Sequence, residues 1–130
     1  MTKPEIKKLD DLWSKVVKDK AAHACEHCKI QGIRMEAAHV VGRRHRATRW
    51  GYYATFQHTH LAITIKTYDL CGHCLCHNCH QAYDEHGPLE KDIVEKTIGL
   101  DRKHRIQQYA WNTVAKHQDF DEIKKVLEAL

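Results

Sequence analysis

The chain has no apolar run long enough for a signal peptide or a membrane span, no internal repeat, no low-complexity segment and no long linker. These absences argue against a membrane anchor, a solenoid and a tethered pair of domains. The opening residues Met1-Thr2-Lys3-Pro4-Glu5 are polar, so the expected setting is a reduced, intracellular compartment. There, six cysteines read as metal ligands or redox centres rather than as disulfides. No βαβ context surrounds Cys25 or Cys76, which removes a thioredoxin-type motif and leaves metal. A length of 130 residues predicts one domain with a modest core. The net charge of +4, with twelve histidines uncounted, permits a polyanionic partner without demanding one.

Two C-x-x-C pairs stand far apart, Cys25-Glu26-His27-Cys28 and Cys76-His77-Asn78-Cys79. Two thiolates three apart grip one ion from a tight turn, and two such knuckles close a four-thiolate zinc site. A third pair, Cys71-Gly72-His73-Cys74, competes for the same ion. Cys76 and Cys79 are preferred because a histidine and a helix-forming run follow them. Cys74 alternates with Leu75 as on a strand and reads as a small core residue. In a helix after the second knuckle, His80 and Asp84 lie four apart on one face, an imidazole beside a carboxylate. That pair describes a second, open metal site next to the closed one.

Along the chain, Thr2, Pro4 and Glu5 predict a helix start, and Ile6, Leu9, Trp13, Val16 and Val17 recur at helical spacing. The segment 33–41 has strand character and carries Glu36, Ala37, Ala38 and His39 before Gly42. Four arginines, Arg43, Arg44, Arg46 and Arg49, follow within seven residues. Guanidinium forks match phosphate oxygens, so this run predicts affinity for a phosphate backbone without base readout. From 52 to 68 the pattern is β, with Leu61, Ile63 and Ile65 alternating as in a half-buried strand and Tyr52–Phe56 as its partner. His58 and His60 read as polar turn residues. Beyond Gly87-Pro88, short helices are expected around Ile93, from a cap at Asp101 through Val114, and from Asp119 to the end. They read as scaffold without chemistry.

The order Cys25-x-x-Cys28, Ala37-Ala38-His39-Val40, an arginine-rich run, then Leu75-Cys76-x-x-Cys79-His80 resembles the zinc-bound HNH endonucleases, including the small phage-type ones. The resemblance runs from about Trp13 to His86. It implies an α+β fold with a ββα-metal (HNH) core and a four-cysteine structural zinc site on Cys25, Cys28, Cys76 and Cys79. An N-terminal helix (1–24) and a helical C-terminal scaffold (88–130) flank that core (25–87), all within one endonuclease domain. It implies His39 as general base and His80 as ligand of a catalytic divalent cation such as Mg2+, Mn2+ or Ni2+. Two positions depart from the family. Ala38 stands where an Asp or His metal ligand is usual, and Cys71 stands where an asparagine is usual. His73 is the candidate to take over that orienting role. Asp84, Glu36 and His45 are the candidates for the missing ligand, with Asp84 favoured. The segment between Trp50 and Asp69 is longer than the compact family pattern.

The function implied is metal-dependent hydrolysis of DNA phosphodiester bonds, by nicking or double-strand cleavage. DNA is held mainly through its backbone by Arg43, Arg44, Arg46 and Arg49, with the protein a monomer or homodimer in the cytoplasm, or the host cytoplasm if phage-encoded. A silent zinc module that binds DNA or a protein is the alternative, and a purely structural zinc protein with an acidic partner is a third.

Overall fold

The computed structural model describes residues 1–58, 60–115 and 118–130, with the backbone but not the side chain of His58. Thr59, inside the stretch read as β, lies outside the described residues. The fold is α+β, with five helices and two small antiparallel sheets among the described residues. None of these helices is long and apolar enough to cross a membrane.

Helix α1 (Lys3–Lys20) begins as its sequence predicts. Thr2 Oγ1 accepts from the Glu5 backbone N–H, and Glu5 accepts from Thr2 N in return, a closed capping box. Its buried stripe is Leu9, Trp13, Val16 and Val17. The Trp13 indole N–H donates to Leu70 O at 2.8 Å, so the largest side chain of the stripe is satisfied as well as buried.

Strand β1 (Met35–His39) pairs antiparallel with β4 (Gly72–Cys76), placing Met35 opposite Cys76, Ala38 opposite His73 and His39 opposite Gly72. Helix α1 covers one face of this two-stranded sheet. Gly72 is required there, because a Cβ would collide with the Trp13 ring. Helix α2 (His77–Asp84) follows β4 without a linker and covers the other face. Its Tyr83 is buried and donates to Val40 O at 2.6 Å, pinning the helix to the end of β1.

Strands β2 (Tyr52–His58) and β3 (Ile63–Asp69) form a separate hairpin with Tyr52 opposite Asp69 and His58 opposite Ile63. Among the described residues, only its root is buried. Leu61 is 62% exposed and outside both strands, and Ile63 is 49% exposed. The alternation predicts a half-buried strand, but among the described residues the distal half has little cover beyond Arg105, 6.0 Å from the centre of the Phe56 ring, so the pattern has scarcely an inside to face.

Helices α3 (Glu90–Thr97), α4 (Leu100–Asn112) and α5 (Phe120–Glu128) complete the chain. Gly99, at φ +80°, caps α4 in place of the expected Asp101, which lies in the first turn. Glycine adopts that left-handed conformation without a Cβ clash. Val114 lies beyond the end of α4 and is exposed, against the expectation that it belongs to the helix. Asp119 caps α5 as expected, accepting from the N–H groups of Asp121 and Glu122. Helix α5 packs against α1 and buries Leu127.

Candidate metal centre and adjoining histidines

The Sγ atoms of Cys25, Cys28, Cys76 and Cys79 all lie within 4.8 Å of one another. Cys25 and Cys28 come from the turn after α1, Cys76 from the end of β4 and Cys79 from the first turn of α2. Zn–S bonds of about 2.3 Å set tetrahedral S···S edges of about 3.8 Å. Cys28 Sγ and Cys76 Sγ are 3.8 Å apart, so the cluster fits zinc. Burial opposes a charge on Cys25, but backbone N–H groups at Cys76, Cys28 and His27 outweigh it and bring its pKa down to about 6. The same closeness acts against Cys79, whose thiol is pushed up by burial and by its sulfur neighbours. Four thiolates coexist at this spacing only around a cation.

The competing pair does not join the cluster. Cys74 is buried within β4, its N–H donates to the Glu26 carboxylate, and burial raises its thiol to about 11. Cys71 is buried too, and burial with the neighbouring Asp69 charge pushes its thiol far up. Its backbone holds a left-handed φ of +54°.

Beside the cluster, His27 bridges two groups that are far apart in sequence. Its Nδ1 is 3.3 Å from Cys79 Sγ and its Nε2 is 2.6 Å from the Asp92 carboxylate on α3. A carboxylate–imidazole–thiolate chain of this kind orients a metal ligand from outside its shell. Asp92 carries no sequence signal for this role, since its partner sits 65 positions away. The C-terminal helices therefore are not bare scaffold, and Thr97 of α3 likewise lies 3.0 Å from His73 Nδ1.

On the α2 face of the β1–β4 sheet, His80 Nδ1 is 2.8 Å from Glu36 Oε1 and His80 Nε2 is 3.2 Å from Asp84 Oδ2. His77 Nδ1 approaches the other Glu36 oxygen at 3.2 Å. The helical spacing of four thus does bring Asp84 to His80. Glu36 joins from β1, where residues 36 and 38 point to the same face. Burial works against the Glu36 charge, and the His80 and His77 contacts overcome it, holding its carboxyl below the usual range. Both ring nitrogens of His80 face carboxylates, on opposite sides of the imidazole. His45, the remaining ligand candidate, is in the arginine loop, where its carbonyl accepts from Thr48 N.

His39 lies on the opposite face of the same sheet. Its ring stacks on Trp13 at 4.0 Å and its Nε2–H donates to Arg49 O at 3.1 Å, which leaves Nδ1 as the lone-pair nitrogen. Burial lowers its pKa to about 4, so the ring is neutral at pH 7. His73 is fully buried, edge-on to Tyr83 at 4.7 Å. The Thr97 hydroxyl donates to Ile93 O, so His73 Nδ1–H must donate to Thr97 Oγ1, 3.0 Å away. His73 Nε2 is buried without a partner among the described residues, and burial lowers this ring's pKa to about 3.

The arginine run divides. Arg49 forks onto Asp10 of α1 through Nε at 3.0 Å and Nη2 at 2.7 Å, and Trp50 Nε1 donates to the same carboxylate. Arg49 is therefore a clasp between loop and helix. Arg43 and Arg44 are exposed, and Arg46 lies over the Trp50 ring at 5.6 Å. A cleft of about 420 Å³ opens at the root of β2–β3 between Trp50, Tyr109 and α5, and among the described residues no cysteine or histidine lines it.

Neither a family model, nor a curated protein, nor a solved structure matches this chain.

Proposed function

We propose that the chain is a metal-dependent DNA endonuclease of the HNH type, with β1, β4 and α2 as its ββα-metal core. One arrangement carries the reading: a strand ending in His39 pairs with a strand that runs directly into a helix bearing His80, and four cysteines clamp the junction. In this reading His39, neutral and held in one tautomer by Arg49 O, takes a proton from the attacking water through Nδ1. His80 with Asp84 forms the open side of the cation site, and Glu36 fixes the imidazole from behind. A divalent cation bound there supplies charge stabilisation to the phosphoryl and leaving oxygens. Glu36 occupies the face that Ala38 leaves without a ligand, since the two residues share one side of the strand pleat. Because His39 and His80 stand on opposite faces, the scissile phosphate is reached by both only around the strand end. Arg43, Arg44 and Arg46 hold the flanking backbone by charge.

A second reading, a silent zinc module that binds DNA or a protein partner, is favoured by one observation. His39 lies under Trp13, with a pKa well below the value ideal for a base at neutral pH. Plasmid nicking with and without chelator, over Mg2+, Mn2+ and Ni2+, separates the two. The expected result is cation-dependent nicking that His39→Ala lowers by roughly two to four orders of magnitude while zinc content is kept. Nicking absent in all cations leaves the silent module.

A further inference from the structure

From Ala37 through Tyr68, thirty-two residues contain no Asp or Glu, although the whole chain has seventeen. The same stretch carries four arginines, one lysine and four histidines. It comprises the end of β1, the arginine loop and nearly all of the β2–β3 hairpin. The arginine loop runs into the hairpin through Trp50 and Gly51, and the stretch itself contributes cations and no carboxylate, with Asp10 taken up by Arg49 and with Asp119 and Glu122 confined to the cleft at the hairpin root. The acid that follows, Asp69, is neutralised by the Arg102 fork at 2.9 and 2.7 Å. Charge complementarity therefore selects a polyanion for the hairpin rather than a basic or neutral protein face.

The root of the hairpin is braced. Tyr68 donates to Trp50 O at 2.7 Å, and Tyr52 stacks on Tyr109 of α4 at 4.0 Å. Beyond that root, the four pairs from Thr55–Lys66 to His58–Ile63 span about 10 Å at ~3.4 Å per residue. B-DNA's major groove is about 12 Å wide and about 8.5 Å deep, and it admits a two-stranded ribbon. Thr55, Gln57, Thr64 and Lys66 share one face of the distal half, and all four are exposed. Their donors and acceptors suit base edges: a glutamine amide pairs with adenine, a lysine with guanine, and threonine with either.

We propose that the β2–β3 arm enters the major groove of duplex DNA and reads base edges through Thr55, Gln57, Thr64 and Lys66. This inference rests on the DNA-binding half of the functional reading. It adds what the arginine loop lacks, since phosphate contacts position a protein but carry no sequence information.

The test is selection of bound fragments from a random-sequence duplex pool, using the full zinc-loaded chain, followed by affinity measurements on the enriched and random fragments. The wild type is expected to enrich a short motif. Gln57→Ala combined with Lys66→Ala should erase preference at the contacted positions by about tenfold or more, with little change on random DNA. Arg43→Ala with Arg44→Ala should weaken all fragments alike. A wild type that binds DNA without enriching a motif, or a double variant that enriches the same motif, overturns the arm while leaving the endonuclease reading in place. A concentration-dependent dimer that Phe56→Ser dissociates assigns the arm to a second copy instead. Absence of DNA binding overturns both readings.

Discussion

The molecule contains two antiparallel strand pairs of opposite fate, β1–β4 joined across 32 residues and the β2–β3 hairpin. In β1–β4, α1 covers one face and α2 the other, the cysteine cluster ties one end, and Leu75, Cys74 and Ala38 are fully buried. In β2–β3, only the root is packed among the described residues, and the tip offers Leu61 and Ile63 to solvent. Alternating apolar residues mark β3, which is largely exposed, whereas β4 is buried at four consecutive positions without alternation, so alternation does not by itself produce burial. What differs is whether other elements supply a second layer. The covered β1–β4 pair is held in one geometry from both sides. The uncovered one has its ladder hydrogen bonds and a braced root, as befits a projecting arm.

Removing the clamp should have the largest effect on this contrast. Structural zinc contributes on the order of 10–16 kcal/mol in small zinc domains, so Cys76→Ser is expected to lose zinc and unfold the β1–β4–α2 unit. Elemental analysis and circular dichroism read this out, with Cys71→Ser as the control that keeps zinc. Full zinc in Cys76→Ser would refute the ligand set.

Matched truncations sharpen the comparison next. Leu75→Ala opens a cavity in the covered pair and should cost about 2–5 kcal/mol, whereas Ile63→Ala in the arm should stay within about 0.5 kcal/mol. Urea unfolding of the two variants measures both. Equal costs would mean that the arm is packed in solution.

The smallest expected effect is a pH dependence. His73 has its folded pKa lowered to about 3 by burial, against an unfolded value near ~6.5. The folded state then binds fewer protons, so stability is full above pH ~6.5 and falls as the pH drops from there toward the folded value. The limiting slope is about 1.4 kcal/mol per pH unit for one histidine. His39, lowered to about 4, acts in the same direction over a narrower window. The urea midpoint of His73→Gln should therefore fall less steeply between about pH 6.5 and 4.5 than that of the wild type. Parallel profiles would show that His73 is not buried neutral.

Much of the candidate site was legible because its signals are local. The two C-x-x-C knuckles are short-range patterns, and so is the four-residue spacing that brings Asp84 to His80. The choice of Cys76 and Cys79 over Cys71 and Cys74 rested on the histidine and helix that follow, and it agrees with the clustered Sγ atoms. The cap of α1 and its buried stripe were readable for the same reason, since one helical turn contains the whole signal.

Tertiary structure alone decided the pairings between distant segments. Asp92 reaches His27, Asp10 takes the fork of Arg49, and Thr97 sets the tautomer of His73. None has a periodicity or spacing to announce it, because each joins surfaces brought together only when helices pack on strands. Which side of a strand is inside is decided there too. Residue order puts His39 and Glu36 on opposite faces of β1, but only α1 and α2 determine that one stacks on Trp13 and the other meets His80. Alternation along 52–68 likewise specified a hairpin and left its environment open, since burial belongs to the layers around a strand and not to the strand itself.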